Sequence, residues 1–228
     1  MGLIFSLLLS IYGLTLNVKQ YGRTVKLSFT VGVKNSERNI FLGLLCLFVI
    51  FWLGSHFLII GLIIMSPLSK LTFLKAYDNL NLKWSKNAIN WSRALLKFWP
   101  VIFVFSVLSI FLLGDYPVQR SVHQLRDGSV SQIISIIISS LLIAPIIEEV
   151  VFRKFLYSGI KSKLGIGMSS ILSSFAFALI HFNIFSFAIL FLFGIFLCFC
   201  YEIFNSLYAS IWIHFVFNLV MVVSIIVK

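Results

Sequence analysis

The chain has 228 residues, of which 60% are hydrophobic and 11% charged, whereas soluble domains are about half apolar and about a quarter charged. Together with a mean hydropathy of +1.06, this excludes an ordinary soluble fold and marks a membrane protein. The net charge of +11 sits on Lys and Arg in short loops between apolar runs, where topology signals and anionic headgroups call for it, so the partner it indicates is the lipid bilayer and not nucleic acid.

A membrane-crossing helix needs about 20 apolar residues, or about 17 at the short end. Residues 41–66, 98–114, 130–152, 164–182, 184–203 and 206–227 meet or approach that length. The run 2–16 has no basic residue ahead of it and no small-residue cleavage site behind it, so it reads as a further short span or an interfacial helix, not a signal peptide. Between the runs, residues 67–97 interleave Lys70, Lys75, Lys83, Lys86, Arg93 and Lys97 with Phe73, Trp84 and Trp91, and Trp99 lies just beyond. Such a stretch suits either the headgroup layer or a solvated loop. A second polar stretch, 115–129, carries Asp115, Arg120, His123, Arg126 and Asp127.

Everything that looks chemical follows that stretch. The chain therefore divides near residue 128 into amino-terminal membrane helices with basic interfacial loops (1–128) and a functional carboxy-terminal half (129–228). The expected fold is an all-α polytopic transmembrane bundle of about seven spans, within a range of about six to eight, with a cavity between the carboxy-terminal helices. With seven spans, loops 67–97 and 153–163 share a side and hold ten basic residues against seven in loops 17–40 and 115–129, so the former side is expected to be cytoplasmic. The protein is expected to be a multi-pass integral membrane protein, in the plasma (inner) membrane if the source is bacterial. Cys46, Cys198 and Cys200 lie inside apolar runs with no CxxC pair and read as small buried hydrophobes.

Polar residues within the spans are costly and carry the functional signal. Glu148 and Glu149 follow the apolar run SQIISIIISSLLIAPII. On a helix Glu149 stacks over Arg153 in the favourable acid-first i to i+4 order, while Glu148 is rotated away by about 100° and stays free. Pro145 cannot donate to the carbonyl of Leu141, which is expected to loosen the helix just before the acidic pair. In the next run His181 shares a face with Phe177, and Ser170, Ser174 and Ala178 form a small-residue stripe that lets helices approach, turning His181 into the bundle. In the last run His214 and Asn218 are four apart and share a face with Ser210, so that imidazole and carboxamide can aim at one point. Any one of these residues alone reads as an interhelical hydrogen-bonding group; three runs contributing them at helical spacing point to one cavity. His56 and His123 have no such company, and Tyr201 and Glu202 read as interfacial and structural.

With these residues in place, the pattern resembles the CAAX protease and bacteriocin-processing family, also called Abi, which includes the type II CAAX prenyl endopeptidases. Its motifs are EExxxR, FxxxH and HxxxN on successive transmembrane helices. Here they are Glu148-Glu149 with Arg153, Phe177 with His181, and His214 with Asn218, across about residues 129–228. The resemblance implies an intramembrane endopeptidase acting on a membrane-associated protein or peptide, of the prenylated CAAX type if the cell prenylates proteins. It implies Glu148 as the base that activates water, His181 as its assistant or a metal ligand, and His214 with Asn218 as oxyanion donors. Glu149 and Arg153 would hold the helix and tune the site, with Phe177 beside them. The HExxH arrangement of zinc proteases is absent. Glu148, His181 and His214 could still make a three-ligand zinc site, or glutamate could act without metal, and both stay open. The competing readings are a non-proteolytic scaffold or immunity factor on the same fold, and a transporter with an ion relay, for which paired broken helices are missing.

Overall fold

The computed structural model describes Glu37 and residues 39–45, 84–114 and 119–227, and every regular element among them is helical. The runs 2–16 and most of 41–66, with Cys46 and His56, lie outside the described residues. Among the described residues four helical runs are long and apolar enough to cross a membrane: Asn87–Leu113, Val130–Leu179, Ile184–Phe204 and Leu207–Ile226. The integral-membrane reading holds on these grounds.

Helix α1, Trp84–Leu113, is longer than the expected span. The segment 84–97, assigned above to a headgroup-level or solvated stretch, is its first half, and the reason is a helical stripe that the lysines hid. Trp91, Leu95, Trp99 and Ile102 recur at spacings of four, four and three and are all buried. Trp91 meets Phe204 edge-on at 6.4 Å and Trp99 lies 6.1 Å from Phe217, so these two tryptophans are core residues and not headgroup anchors. Part of the second polar stretch is likewise helical: α2, Arg120–Asp127, buries Leu125 and leaves His123 exposed. Gln119 Nε2, just before α2, donates to Ser186 Oγ at 3.4 Å.

From Val130 the chain runs through α3 (Val130–Ile138), a π-helical stretch (Ser139–Ile143), α4 (Ala144–Glu149), a second π-helical stretch (Val150–Tyr157) and α5 (Ser158–Leu179). This is not one rod. Gly165 has φ 74° and ψ 178°, a backbone region essentially closed to residues with a Cβ, and the chain doubles back there. Ser173 Oγ donates to the Phe152 carbonyl at 2.7 Å, and the rings of Phe152 and Phe177 meet edge-on at 5.3 Å. The expected separate runs 130–152 and 164–182 are thus the arms of a helical hairpin. Its start also differs from expectation, since Arg153, counted among loop charges in the topology argument, is fully buried.

Helix α6 (Ile184–Phe204) begins with Asn183 Oδ1 accepting the Ser186 N–H and ends at Asn205, whose left-handed backbone (φ 46°) turns the chain into α7, Leu207–Ile226. The expected small-residue stripe makes the α5–α6 contact: Ser170, Ser174 and Ala178 are all buried. A Cβ placed on Gly194 would lie 2.8 Å from Ser174 Cβ and 3.1 Å from its Cα, so the two backbones approach as closely as a glycine permits. Trp99, Phe152, Phe177, Phe193, Leu197 and Ile213 fill the centre.

Candidate active site

The acidic pair lies between the two π-helical stretches, and such irregular turns within helices often mark functional sites. The first has a visible cause. A proline at 145 has no N–H for the preceding turn and crowds the carbonyl four residues back, so the helix widens ahead of it. The carbonyl affected differs from the one expected. The Ala144 N–H bonds the Ser139 carbonyl five residues back, and the next donor in that ladder would be Pro145. The Ser140 carbonyl is accordingly taken by a side chain, Asn218 Nδ2, at 2.8 Å.

The two adjacent glutamates have different surroundings. Glu149 is fully buried, and its Oε1 accepts from Arg153 Nη1 at 2.9 Å and from His214 Nδ1 at 2.9 Å. The i to i+4 pairing read from the sequence is therefore present. Arg153 also donates through Nη2 to the Gly194 carbonyl at 3.2 Å and lays its guanidinium 4.6 Å from the centre of the Phe177 ring. Glu149 Oε2 and Arg153 Nε are buried with no hydrogen-bond partner. Glu148 keeps 16% of its side-chain surface exposed, and its Oε2 lies 3.7 Å from His214 Nε2, beyond hydrogen-bonding distance.

These contacts settle which ring nitrogen carries a proton. A carboxylate only accepts, so His214 Nδ1 is the donor to Glu149, and Nε2 is the nitrogen turned towards Glu148. The same reasoning applies to His181, whose Nδ1 lies 2.8 Å from the Phe177 carbonyl: Nδ1 donates, and in the neutral ring Nε2 keeps its lone pair. His181 is half-buried at the end of α5, followed by Phe182 in a left-handed backbone conformation (φ 46°) that a bulky residue rarely adopts. Phe177 joins the two histidines, with its ring centre 5.0 Å from that of His181 and 5.8 Å from that of His214. Phe193 closes another side of His214 at 5.5 Å.

The structure therefore brings Glu148, Glu149, Arg153, Phe177 and His214 together, with the His181 ring 5.0 Å from that of Phe177. It does not aim His214 and Asn218 at one point: the hydrogen bond from His214 Nδ1 goes to Glu149 and that from Asn218 Nδ2 to Ser140. Among the described residues no group of three His, Cys, Asp or Glu side chains could hold a metal ion. Cys198 and Cys200 are buried, and Cys198 Sγ lies 3.9 Å from Ser174 Oγ, in keeping with a packing role.

Two contributors escaped the sequence reading. One is the Gly194 carbonyl on Arg153, for which a lone glycine among phenylalanines in LFLFGIF was the only signal. The other is the Ser140 carbonyl, for which Pro145 was a signal displaced by one residue.

Residues 130–220 match the family model described as Rce1-like, type II CAAX prenyl endopeptidase Rce1-like. No curated protein and no solved structure matches the chain. The carboxy-terminal helices that carry the site are thus similar to the Rce1-like family over these residues.

Proposed function

We propose that this chain is an intramembrane endopeptidase that hydrolyses a peptide bond in a membrane-associated protein, with Glu148 as the base. The observation that carries the proposal is the division of labour between adjacent carboxylates. Glu149 is occupied on Oε1 by both Arg153 and His214, while Glu148 stays partly open, 3.7 Å from His214 Nε2. A water beside that gap is within reach of both groups. The match of residues 130–220 to the Rce1-like family model supports peptide hydrolysis as the reaction and a CAAX-type protein as the substrate class.

In this reading Glu148 takes a proton from water as the oxygen attacks the scissile carbonyl carbon. The tetrahedral oxygen is met by His214 Nε2–H when that ring is doubly protonated, and the Glu149 carboxylate on Nδ1 offsets the charge the ring then carries. The C–N bond breaks as Glu148 returns its proton to the departing amine, leaving a carboxylic acid and an amine that then ionise to carboxylate and ammonium. His181, with Nδ1 held by the Phe177 carbonyl, offers Nε2 as an acceptor that orients water or substrate. Glutamate and histidine suffice for this sequence of proton transfers without a metal.

Glu148→Gln keeps the shape and one acceptor but cannot take the proton. It is expected to insert and fold like the wild type and to lose cleavage of a membrane-associated CAAX-type peptide by at least about a hundredfold. Cleavage at a rate near wild type would remove Glu148 as the base and favour a scaffold that keeps the fold without the activity.

A further inference from the structure

Asn218 does something that the HxxxN pattern does not call for. Across Ser139–Ile143 the backbone ladder slips to five-residue spacing, so that the Ala144 N–H bonds the Ser139 carbonyl. The Ser140 carbonyl is next in that register, and its donor would be Pro145, which has no N–H. A backbone carbonyl without a donor inside a membrane is costly. Asn218 Nδ2 supplies the bond at 2.8 Å from a helix 78 residues further along the chain.

The turn held in this way sets the direction of everything after it. One extra residue in a helical turn rotates the following side chains by about 100°. With this turn in place, Glu149 Oε1 meets His214 Nδ1 at 2.9 Å and Glu148 Oε2 lies 3.7 Å from Nε2. If the ladder annealed to ordinary α pitch, both carboxylates would swing away from His214 by that angle. Asn218 and His214 lie one turn apart on the same helix, so α7 both anchors the bulge and carries the group the bulge aims at.

We infer that Asn218 is a positioning residue: through the Ser140 carbonyl it holds open the π-helical turn that registers Glu148 and Glu149 against His214. The kinetic consequence rests on the peptidase reading; the structural consequence does not.

The two roles for Asn218 differ in what residue 145 can do about its loss. A double-mutant cycle on the full chain therefore separates them, with Asn218→Ala, Pro145→Ala and the combination assayed on the peptide used for Glu148→Gln. Asn218→Ala alone is expected to lower turnover by about ten- to a hundredfold, and by at least about threefold less than that in the Pro145→Ala background. There, either the backbone N–H restored at position 145 serves the Ser140 carbonyl or the turn has already annealed. A direct donor to the tetrahedral oxygen would be missed equally whatever occupies position 145, so equal fold losses in the two backgrounds would overturn the inference.

Amide hydrogen exchange supplies the test that needs no substrate. Asn218→Ala without ligand is expected to exchange faster than wild type across residues 139–147 and unchanged along α6. Unaltered exchange across 139–147 would overturn the inference, whether or not any peptide is cut and whether or not Pro145→Ala folds. Faster exchange in a protein that cleaves nothing would uphold the positioning role while the peptidase reading fell.

Discussion

Two ion pairs at different depths show how this protein uses charge. Arg153 and Glu149 are fully enclosed, share the same helical face, and are further tied to His214, Gly194 and the Phe177 ring. Lys161 and Glu202 join α5 to the end of α6, with Nζ 2.7 Å from both carboxylate oxygens, and keep 10% and 13% of their side-chain surface. The outer pair bridges neighbouring helices at a level where either partner can be resolvated. The inner pair leaves Glu149 Oε2 and Arg153 Nε unsatisfied, so it is an expensive way to join two residues of one helix. Its value lies in what it orients: the carboxylate held by Arg153 is the one that fixes the His214 ring.

The largest test of this contrast is Arg153→Ala. It strands Glu149 without its cation in a buried setting, and the expected destabilisation is about 3 to 5 kcal/mol. Thermal unfolding in detergent and the yield of monodisperse protein would read it, and a normal melting temperature would break the comparison. A sharper version replaces both partners, Glu149→Leu with Arg153→Met. Removing the charges together should recover much of the folded yield while leaving cleavage abolished, which separates the cost of the pair from its use.

Next in size is Gly194→Ala, which touches the inner pair only through packing. The added methyl would meet Ser174 Cβ at 2.8 Å and its Cα at 3.1 Å, forcing α5 and α6 apart and moving the carbonyl that anchors Arg153. Overpacking of this kind costs about 1 to 3 kcal/mol. A melting temperature unchanged from wild type would show that the helices yield more easily than the contact implies.

The smallest effects are expected at the outer pairs. Lys161→Ala should cost about 1 kcal/mol, since Glu202 can turn to water or headgroups. Lys163→Ala should cost less than about 0.5 kcal/mol, because its 3.4 Å contact with Glu37 is largely exposed. If Lys161→Ala proved as damaging as Arg153→Ala, depth would not be the variable that ranks these pairs.

Much of the site was legible because it is local. Glu149 and Arg153, and Phe177 and His181, are each four residues apart, and helical periodicity alone brings them onto common faces. The small residues along 170–178 announced a close helix contact for the same reason. Less legible was α1, where six cationic residues among the leucines of 67–97 masked the stripe of Trp91, Leu95 and Trp99. Lysine and arginine on the remaining faces of a buried helix look, in one dimension, like a basic loop.

Composition and spacing by themselves determined that the protein lives in a membrane, that its described elements are helices, and which three stretches hold the polar side chains. They could do so because hydropathy and the 3.6-residue repeat are properties of neighbours in sequence. Only the tertiary structure decided which glutamate is occupied and which is open, because the deciding partner, His214, lies 65 residues from Glu149. It alone turned Asn218 from a companion of His214 into the donor for Ser140, since that bond exists only where a proline in one helix leaves a carbonyl unserved opposite a carboxamide in another. Spacing ranks residues along one helix; the choice among their partners is made by the helices packed against it.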